Sequence, residues 1–151
     1  MNIKNKTYKS IVSGIGASLP QEVVTNKDLS MRMDTSEEWI EERTGIKERR
    51  IASKDETTSS LGTDAAQIAI DNSGLKNSDI DLIILATATP DNTFPASATL
   101  IQSSLGIERG YAYDMQAVCS GVVFAVEDPK MGYLGGAVDV NATPTNNHKL
   151  I

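Results

Sequence analysis

The sequence predicts an α/β domain whose helices cover a buried sheet. Leu82–Ala86 is a continuous apolar run between polar residues, which is typical of a strand buried on both faces. The segment 58–73 before it carries apolar residues at helical spacing. Residues 110–121 then predict a second strand, a tight turn and the start of another helix. Helices that alternate with a buried strand in this way indicate a layered α/β architecture.

Length, composition and charge limit the kind of protein. The chain has 151 residues, 40% of them hydrophobic and 23% charged, so we expect one globular domain by default. Its net charge of -6 repels polyanions, which argues against nucleic acid as a partner. No run has membrane-spanning length and no secretion signal opens the chain. Cys119 is the single cysteine, so a reducing compartment fits, and we expect a cytoplasmic protein without a membrane partner.

The first predicted element is a strand over residues 8–15, which a glycine-containing turn ends. Gly14 and Gly16 after a strand also resemble part of a dinucleotide-binding fingerprint. That fingerprint needs a third glycine and a capped helix, whereas position 19 is Leu19 and no helix start follows. A strand and a turn are therefore the preferred interpretation.

The second element is a short helix over residues 36–43. Thr35 and Glu38 have the S/T-x-x-E spacing of a capping box, and Gly45 is a natural C-terminal stop. The acidic first turn and Arg43 near the end suit the helix dipole.

An extended segment over residues 46–51 precedes a longer helix that Thr58 can cap and Gly74 can end. One stripe of this helix carries its apolar residues, namely Leu61, Ala65, Ile68 and Ala69. After the buried strand, the predicted elements are a polar loop over 87–95, a helix over 97–105, a strand over 110–115 and a buried helix over 119–126.

Cys119 is the candidate nucleophile, because a strand runs into a tight turn and a helix begins at the cysteine. At that position the thiol faces unpaired backbone N–H groups and the positive end of the helix dipole, which stabilise a thiolate. The same donors could hold the oxyanion that forms when a thioester carbonyl is attacked. The alternative is that Cys119 is a small buried hydrophobic residue, as most lone cysteines are.

Residues 34–46 resemble the signature D-T-S-[DE]-E-W-I-x-x-R-T-G-I of the β-ketoacyl-acyl-carrier-protein synthase III family. Shorter similar stretches follow in the family's order at 62–66, 81–87, 94–95, 101–106 and 117–121. The similarity covers roughly residues 11–126. Thiolases and hydroxymethylglutaryl-CoA synthases form a third class of candidates, which share the cysteine turn but not the tryptophan signature.

This resemblance implies a thiolase-like fold, of which the chain has the N-terminal half as a layered α-β-α unit with a mixed central sheet. It implies an acyltransferase that starts fatty-acid synthesis by condensing an acyl-CoA with malonyl-acyl-carrier protein. Cys119 resembles the nucleophile that receives the acyl group. Acyl-CoA is then a substrate, and no covalently bound cofactor and no metal are implied. The implied partners are acyl-CoA, acyl carrier protein and a second copy of the chain.

Trp39 resembles the family's tryptophan that stacks on the CoA adenine, with Thr35 and Arg43 beside it. An aromatic ring and a guanidinium suit a nucleobase and its phosphates. Without the motif, Trp39 would be interpreted as a core residue on a helix face.

Two further features carry a functional and a structural interpretation each. Phe94 resembles the residue that reaches across the dimer interface to close the partner's acyl pocket, and the alternative is a packing residue on a loop. A basic run stands out in this acidic chain and consists of Arg43, Lys47, Arg49 and Arg50. It would meet CoA phosphates or an acidic carrier protein, or it is only a solvated face.

The resemblance defines a synthase III domain over residues 1–126 and a tail over 127–151 without a family match. Family members are longer, and their second half supplies a histidine and an asparagine for the condensation step. The single histidine here, His148, lies in a context unlike that motif, so it receives no catalytic role. We expect a truncated chain, and the alternative function is an inactive remnant that keeps a CoA site or a dimer surface.

Overall fold

The computed structural model describes residues 11–127 and 137–138. In chain order its regular elements are β1 (Glu22–Thr25), α1 (Asn26–Ser30), α2 (Glu37–Thr44), β2 (Glu48–Ile51), α3 (Thr58–Ser73), β3 (Leu82–Ala86), α4 (Ser97–Ser104), β4 (Tyr111–Met115), α5 (Gly121–Glu127) and β5 (Ala137–Val138). Short 3-10 turns stand at Asn77–Asp79 and Val118–Ser120. His148 and most of the predicted tail lie outside the described residues.

Strand β3 is the centre of the main sheet, which explains its apolar composition. It pairs in parallel with β4 on one side, from Leu82 opposite Tyr111 to Ala86 opposite Met115, and with β5 on the other. All its residues are buried, because a strand with a neighbour on each side and helices on each face has no surface in water. The predicted buried strand is confirmed.

Alternate side chains of β3 enter two separate apolar clusters. Ile83 and Leu85 pack with apolar residues of α3 and α4. Leu82 and Ile84 pack on the other face with Ala125 of α5. Because successive strand residues point to opposite faces, one apolar run serves both clusters. The predicted layered α-β-α architecture is confirmed. Among the described strands, β1 and β2 pair antiparallel, and they form a separate sheet.

The N-terminal caps of α2 and α3 each lie one residue away from the predicted cap. Ser36 caps α2, and its hydroxyl accepts the Trp39 N–H at 3.1 Å, so the predicted capping box that begins at Thr35 is wrong. Thr57 caps α3 in place of Thr58. In both cases two adjacent residues carry a hydroxyl group, and the residue that caps the helix has the extended backbone typical of an N-cap.

The apolar stripe of α3 is only partly as predicted. Ala65 is buried, whereas Ile68 is exposed and Ile70 lies in the core instead. Gly62 explains the buried side of the helix, because α4 packs so closely there that an added Cβ would stand 2.7 Å from the Ile101 Cδ1 atom. The position of α4 therefore decides which residues of α3 are covered.

Residues 11–20 have no regular structure, although the sequence predicts a strand over 8–15. Their backbone lies against α3, because a Cβ on Gly14 would stand 2.1 Å from the Ala69 carbonyl oxygen and one on Gly16 at the same distance from that of Ala65. Only glycine allows such an approach. The two glycines therefore serve packing on a helix, and no helix start follows them as a dinucleotide site would need.

Candidate active site

Cys119 lies in the turn that joins β4 to α5, beyond the carboxyl ends of two parallel strands. β4 ends at Met115, the turn Val118–Ser120 follows, and α5 begins at Gly121. The carboxyl ends of parallel strands are where α/β proteins commonly bind ligands. The cysteine is exposed, so it is not the buried hydrophobic residue of the alternative interpretation.

The helix after the cysteine is not buried as the sequence predicts. Gly121 and Ala125 face β3, whereas Val122, Val123 and Phe124 are exposed. A helix that rests on one face of a sheet buries one stripe, and its other side stays open unless a further layer covers it. An apolar composition alone does not distinguish these two situations.

Some of the backbone N–H groups that the sequence predicts as donors to an oxyanion are bonded within the turn itself. The Ser120 N–H donates to the Ala117 carbonyl oxygen at 3.1 Å, and the Gly121 N–H donates to that of Val118. The prediction of unpaired donors is therefore wrong for these two groups. Neither bond uses the N–H of Cys119, which belongs to the same residue as the thiol.

Two local features constrain the cysteine turn. Val118 has a φ of 49°, and such left-handed backbone costs a residue branched at Cβ about 1–3 kcal/mol. Gly121 allows close packing of α5 on the sheet, because a Cβ there would stand 2.6 Å from the Ala86 Cβ atom. The surrounding structure therefore holds the turn in a conformation that its own residues would not choose.

Trp39 and Arg43 lie one turn apart on α2 and contact each other. The Arg43 Cζ atom is 5.6 Å from the centroid of the Trp39 ring, within the range of a cation–π interaction. Trp39 is 54% exposed, so it is not a core residue of the described structure. The pair presents a flat aromatic surface beside a guanidinium.

Thr35 lines a pocket of about 210 Å³ together with Asp34, Ser36 and Trp39. Its Oγ1 atom is buried and has no hydrogen-bond partner within the described part of the chain. Burying a hydroxyl without a partner costs about 1–3 kcal/mol. The position of the cap accounts for the missing bond, because the hydroxyl of Ser36, and not that of Thr35, caps α2.

Two carboxylates, one in α2 and one in α1, are held in their charged form by local hydrogen bonds. The pKa of Glu38, in the first turn of α2, is lowered by two hydrogen bonds to its carboxylate. The larger effect comes from the Glu38 backbone N–H and the smaller from the Ser36 hydroxyl. The pKa of Asp28 in α1 is lowered in the same way, first by the bond from the Thr25 hydroxyl and then by the bond from the Thr25 N–H. Both carboxylates stand near the N-terminal end of their helix, where the dipole favours negative charge.

Phe94 stands on the loop between β3 and α4. It is 88% exposed, so it does not pack into the core of the described chain, and the alternative of a packing residue loses support. The loop is closed at its base, because the Asp91 N–H donates to the Ser97 hydroxyl at 2.8 Å. The Asp91 carboxylate in turn accepts the Ser59 N–H at the start of α3.

Most of the basic run is engaged within the chain. The partners are Glu41 for Lys47 at 3.3 Å, Glu48 for Arg50 at 3.8 Å, and the Asn26 side chain for Arg49. Such exposed ion pairs contribute only about 0–1 kcal/mol, so they do not prevent a stronger ligand from binding. Arg43 is the member of the run that lies beside Trp39.

Sequence reasoning missed Asp114 of β4. Its two carboxylate oxygens accept the Ser97 and Ala98 N–H groups at 2.8 Å each, at the start of α4. The helix needs this, because its N-cap residue is Ala96, which has no side-chain acceptor. The available signal was an acidic residue in a strand beside a helix start that lacks a local cap.

The structure thus brings Thr35, Trp39 and Arg43 together around α2, whereas Cys119 and Phe94 lie on other elements. Within residues 11–127 and 137–138, no group of His, Cys, Asp and Glu side chains is placed to hold a metal ion. Over the same residues, no helix combines the length and the apolar character that crossing a membrane requires.

Comparison with known proteins gives consistent relatives, although no family model matches the chain. Its sequence is 59% identical over 128 residues to β-ketoacyl-[acyl-carrier-protein] synthase III of Chelativorans sp. strain BNC1, with 85% of this chain and 40% of that protein covered. The 3-oxoacyl-[acyl-carrier-protein] synthase III of Aquifex aeolicus has a similar fold, with a TM-score of 0.73 and 49% identity over 76% of this chain and 37% of that one. The synthase III of Thermus thermophilus matches with a TM-score of 0.75 and 40% identity, over 81% of this chain and 38% of that one.

The chain spans about 40% of the length of the curated relative described above. The sequence comparison and the structure comparison nevertheless both identify synthase III enzymes as relatives. The resemblance to synthase III and the thiolase-like α/β fold that it implies are confirmed.

Proposed function

We propose that this chain, which is related to β-ketoacyl-[acyl-carrier-protein] synthase III over 128 residues, transfers an acyl group from acyl-CoA to Cys119. In the whole enzyme, the acyl group would then condense with malonyl-acyl-carrier protein to start fatty-acid synthesis. The partners in this proposal are acyl-CoA, acyl carrier protein and a second copy of the chain, in the cytoplasm. We assign this function to residues 1–126, the domain that the resemblance defines.

The observation that carries the proposal is the exposed cysteine in the turn between β4 and α5. The Cys119 thiolate attacks the thioester carbonyl, the bond to the CoA sulfur breaks, and CoA leaves as a thiol with the proton that the cysteine lost. The products are an acyl-cysteine thioester and CoA. The Cys119 N–H, which the turn does not use, supports the oxyanion as a donor that needs no rearrangement.

Thr35, Trp39 and Arg43 support a site for the adenine end of CoA. A nucleobase offers a ring to stack and polar edges to bond, and the neighbouring phosphates suit a guanidinium. The pocket of about 210 Å³ is smaller than the roughly 300–1,000 Å³ of pockets that enclose a whole drug-sized ligand. The pocket would therefore hold only a part of CoA, such as one ring, and the rest of the molecule would lie along the surface.

A second candidate is CoA binding without turnover. The bonds that the Ser120 and Gly121 N–H groups already make favour it, because they leave fewer donors for the oxyanion of an acyl transfer. The two candidates differ in one respect, which is whether Cys119 becomes acylated.

Acylation can be measured directly by incubating the 151-residue chain with acetyl-CoA and recording its intact mass. The wild-type chain should gain one acetyl group that hydroxylamine removes, and Cys119→Ala should gain none. Since the chain has a single cysteine, the site of a thioester is unambiguous. CoA binding by calorimetry without any adduct on the wild-type chain would establish the second candidate instead.

The same samples can then receive malonyl-acyl-carrier protein. We expect no β-ketoacyl product from this chain alone, because losing groups that stabilise charge during bond cleavage typically costs orders of magnitude in rate. Rapid product formation would show that groups outside the family's second half suffice for condensation.

A further inference from the structure

The loop between β3 and α4 is held at both ends by two adjacent residues of β4. At its start, the Thr87 N–H donates to the Met115 carbonyl oxygen at 3.0 Å. At its end, the Ser97 and Ala98 N–H groups donate to the Asp114 carboxylate at 2.8 Å each. The end of β4 therefore fixes where the loop leaves the sheet and where it enters α4.

The loop is also closed across its own base. The hydroxyl of Ser97, a fully buried residue, accepts the Asp91 N–H, and the Asp91 side chain bonds to Ser59 of α3. Phe94 lies midway between Asp91 and Ser97 and is exposed. A large apolar side chain on a tied loop is presented to a ligand or to another chain, because the loop cannot fold it onto the core.

Asp114 connects this loop to the cysteine turn. It lies five residues before Cys119, and the strained backbone of Val118 stands between them. Bonds to a carboxylate are roughly twice as strong as those between neutral groups, so Asp114 makes the strongest link between the loop and β4. A shift at the end of β4 would displace the loop and the turn together.

We propose that Asp114 is a positioning residue, which couples the Phe94 loop to the Cys119 turn. The coupling is independent of the proposed function, because it is a property of the chain without any ligand.

Hydrogen exchange without any acyl-CoA tests the coupling. In Asp114→Asn, one acceptor oxygen becomes an NH₂ group, so one N–H at the start of α4 loses its partner. Exchange should rise about tenfold or more, as expected for the loss of a hydrogen bond to a charged group, in both peptides 91–98 and 116–121. Asp28→Asn is the matched control, because it removes a capping carboxylate from α1 instead, and it should leave both peptides unchanged.

Ser97→Ala separates the two parts of the network, since it opens the base of the loop and keeps the backbone bonds to Asp114. It should raise exchange in 91–96 and leave 116–121 unchanged. If Asp114→Asn raises exchange only in 91–98, or equally over the whole chain, Asp114 is a helix cap or a general stability residue, and the coupling is refuted.

Discussion

The Arg43 guanidinium carbon lies 5.6 Å from the centroid of the Trp39 ring, one helical turn along α2. The pair adjoins the pocket that Thr35 also lines, and the buried Thr35 hydroxyl has no hydrogen-bond partner among the described residues. Because Trp39 is more than half exposed, ring surface remains for a second planar group to stack. The proposed nucleotide site therefore consists of three different groups within ten residues of chain.

Trp39→Ala should weaken CoA binding by roughly 1–3 kcal/mol, the usual contribution of stacking one base on an aromatic side chain. Arg50→Ala is the control, because the Arg50 side chain is engaged with Glu48 and with the Pro20 carbonyl oxygen. Calorimetric titration of CoA against the two variants gives both affinities. A loss for Trp39→Ala that is equal to or smaller than that for Arg50→Ala would argue against the stacking role.

Gly121→Ala should destabilise the cysteine turn by about 1–3 kcal/mol, as overpacking of a close contact does. The added Cβ would stand 2.6 Å from the Ala86 Cβ atom, which is fixed to the backbone of β3 and cannot rotate away. Val122→Ala on the exposed side of α5 is the control and should change stability little. Urea denaturation gives both values, and a Gly121→Ala chain more stable than wild type would mean that helix propensity outweighs the close packing.

Asp28 should make stability depend on acid pH. Its carboxylate accepts the Thr25 hydroxyl at 2.6 Å and the Thr25 N–H at 2.9 Å, which lowers its pKa in the folded chain. Its contribution is therefore complete above the unfolded-state pKa of about 3.9 and is lost as the pH falls through the lower folded-state pKa. Asp28→Asn should have a lower Tm than wild type at neutral pH, and the two should converge in acid. A difference in Tm that stays constant with pH would contradict this.

The structural elements that the sequence predicts correctly are those whose cause is local. Leu82–Ala86 is apolar throughout because every position meets a buried face, so its pattern alone predicts the strand. The cap of α3 is not decided locally, since Thr57 and Thr58 have the same capping propensity. Thr58 instead donates its hydroxyl to the Thr89 carbonyl oxygen at 2.8 Å, a contact that no local pattern contains.

The candidate site divides in the same way. The turn at Cys119 is predictable because a strand, a turn and a helix follow one another in the sequence. The role of Asp114 is not, because its bonds join residues 16 and 17 positions apart and depend on how α4 lies beside β4. The exposure of Val122 and Phe124 is equally beyond a composition argument, because it depends on which layers cover α5.

Thr35→Val separates ligand binding from stability. The substitution replaces the unpartnered Oγ1 by a methyl group of similar size, so the free energy of unfolding should stay the same or rise by up to about 1 kcal/mol, since a buried polar group without a partner is removed. CoA binding should weaken by roughly 0.5–1.5 kcal/mol if that hydroxyl bonds to the nucleobase.

Thr57→Ala is the matched control for this change, because it removes the capping acceptor of α3 without touching the pocket. It should cost about 1 kcal/mol of stability and leave CoA affinity unchanged. Chemical denaturation and CoA titration should therefore rank the two variants in opposite order. If Thr35→Val loses stability as Thr57→Ala does and binds CoA like wild type, its hydroxyl is a structural group, and the pocket beside Trp39 loses the polar contact that would orient a nucleobase.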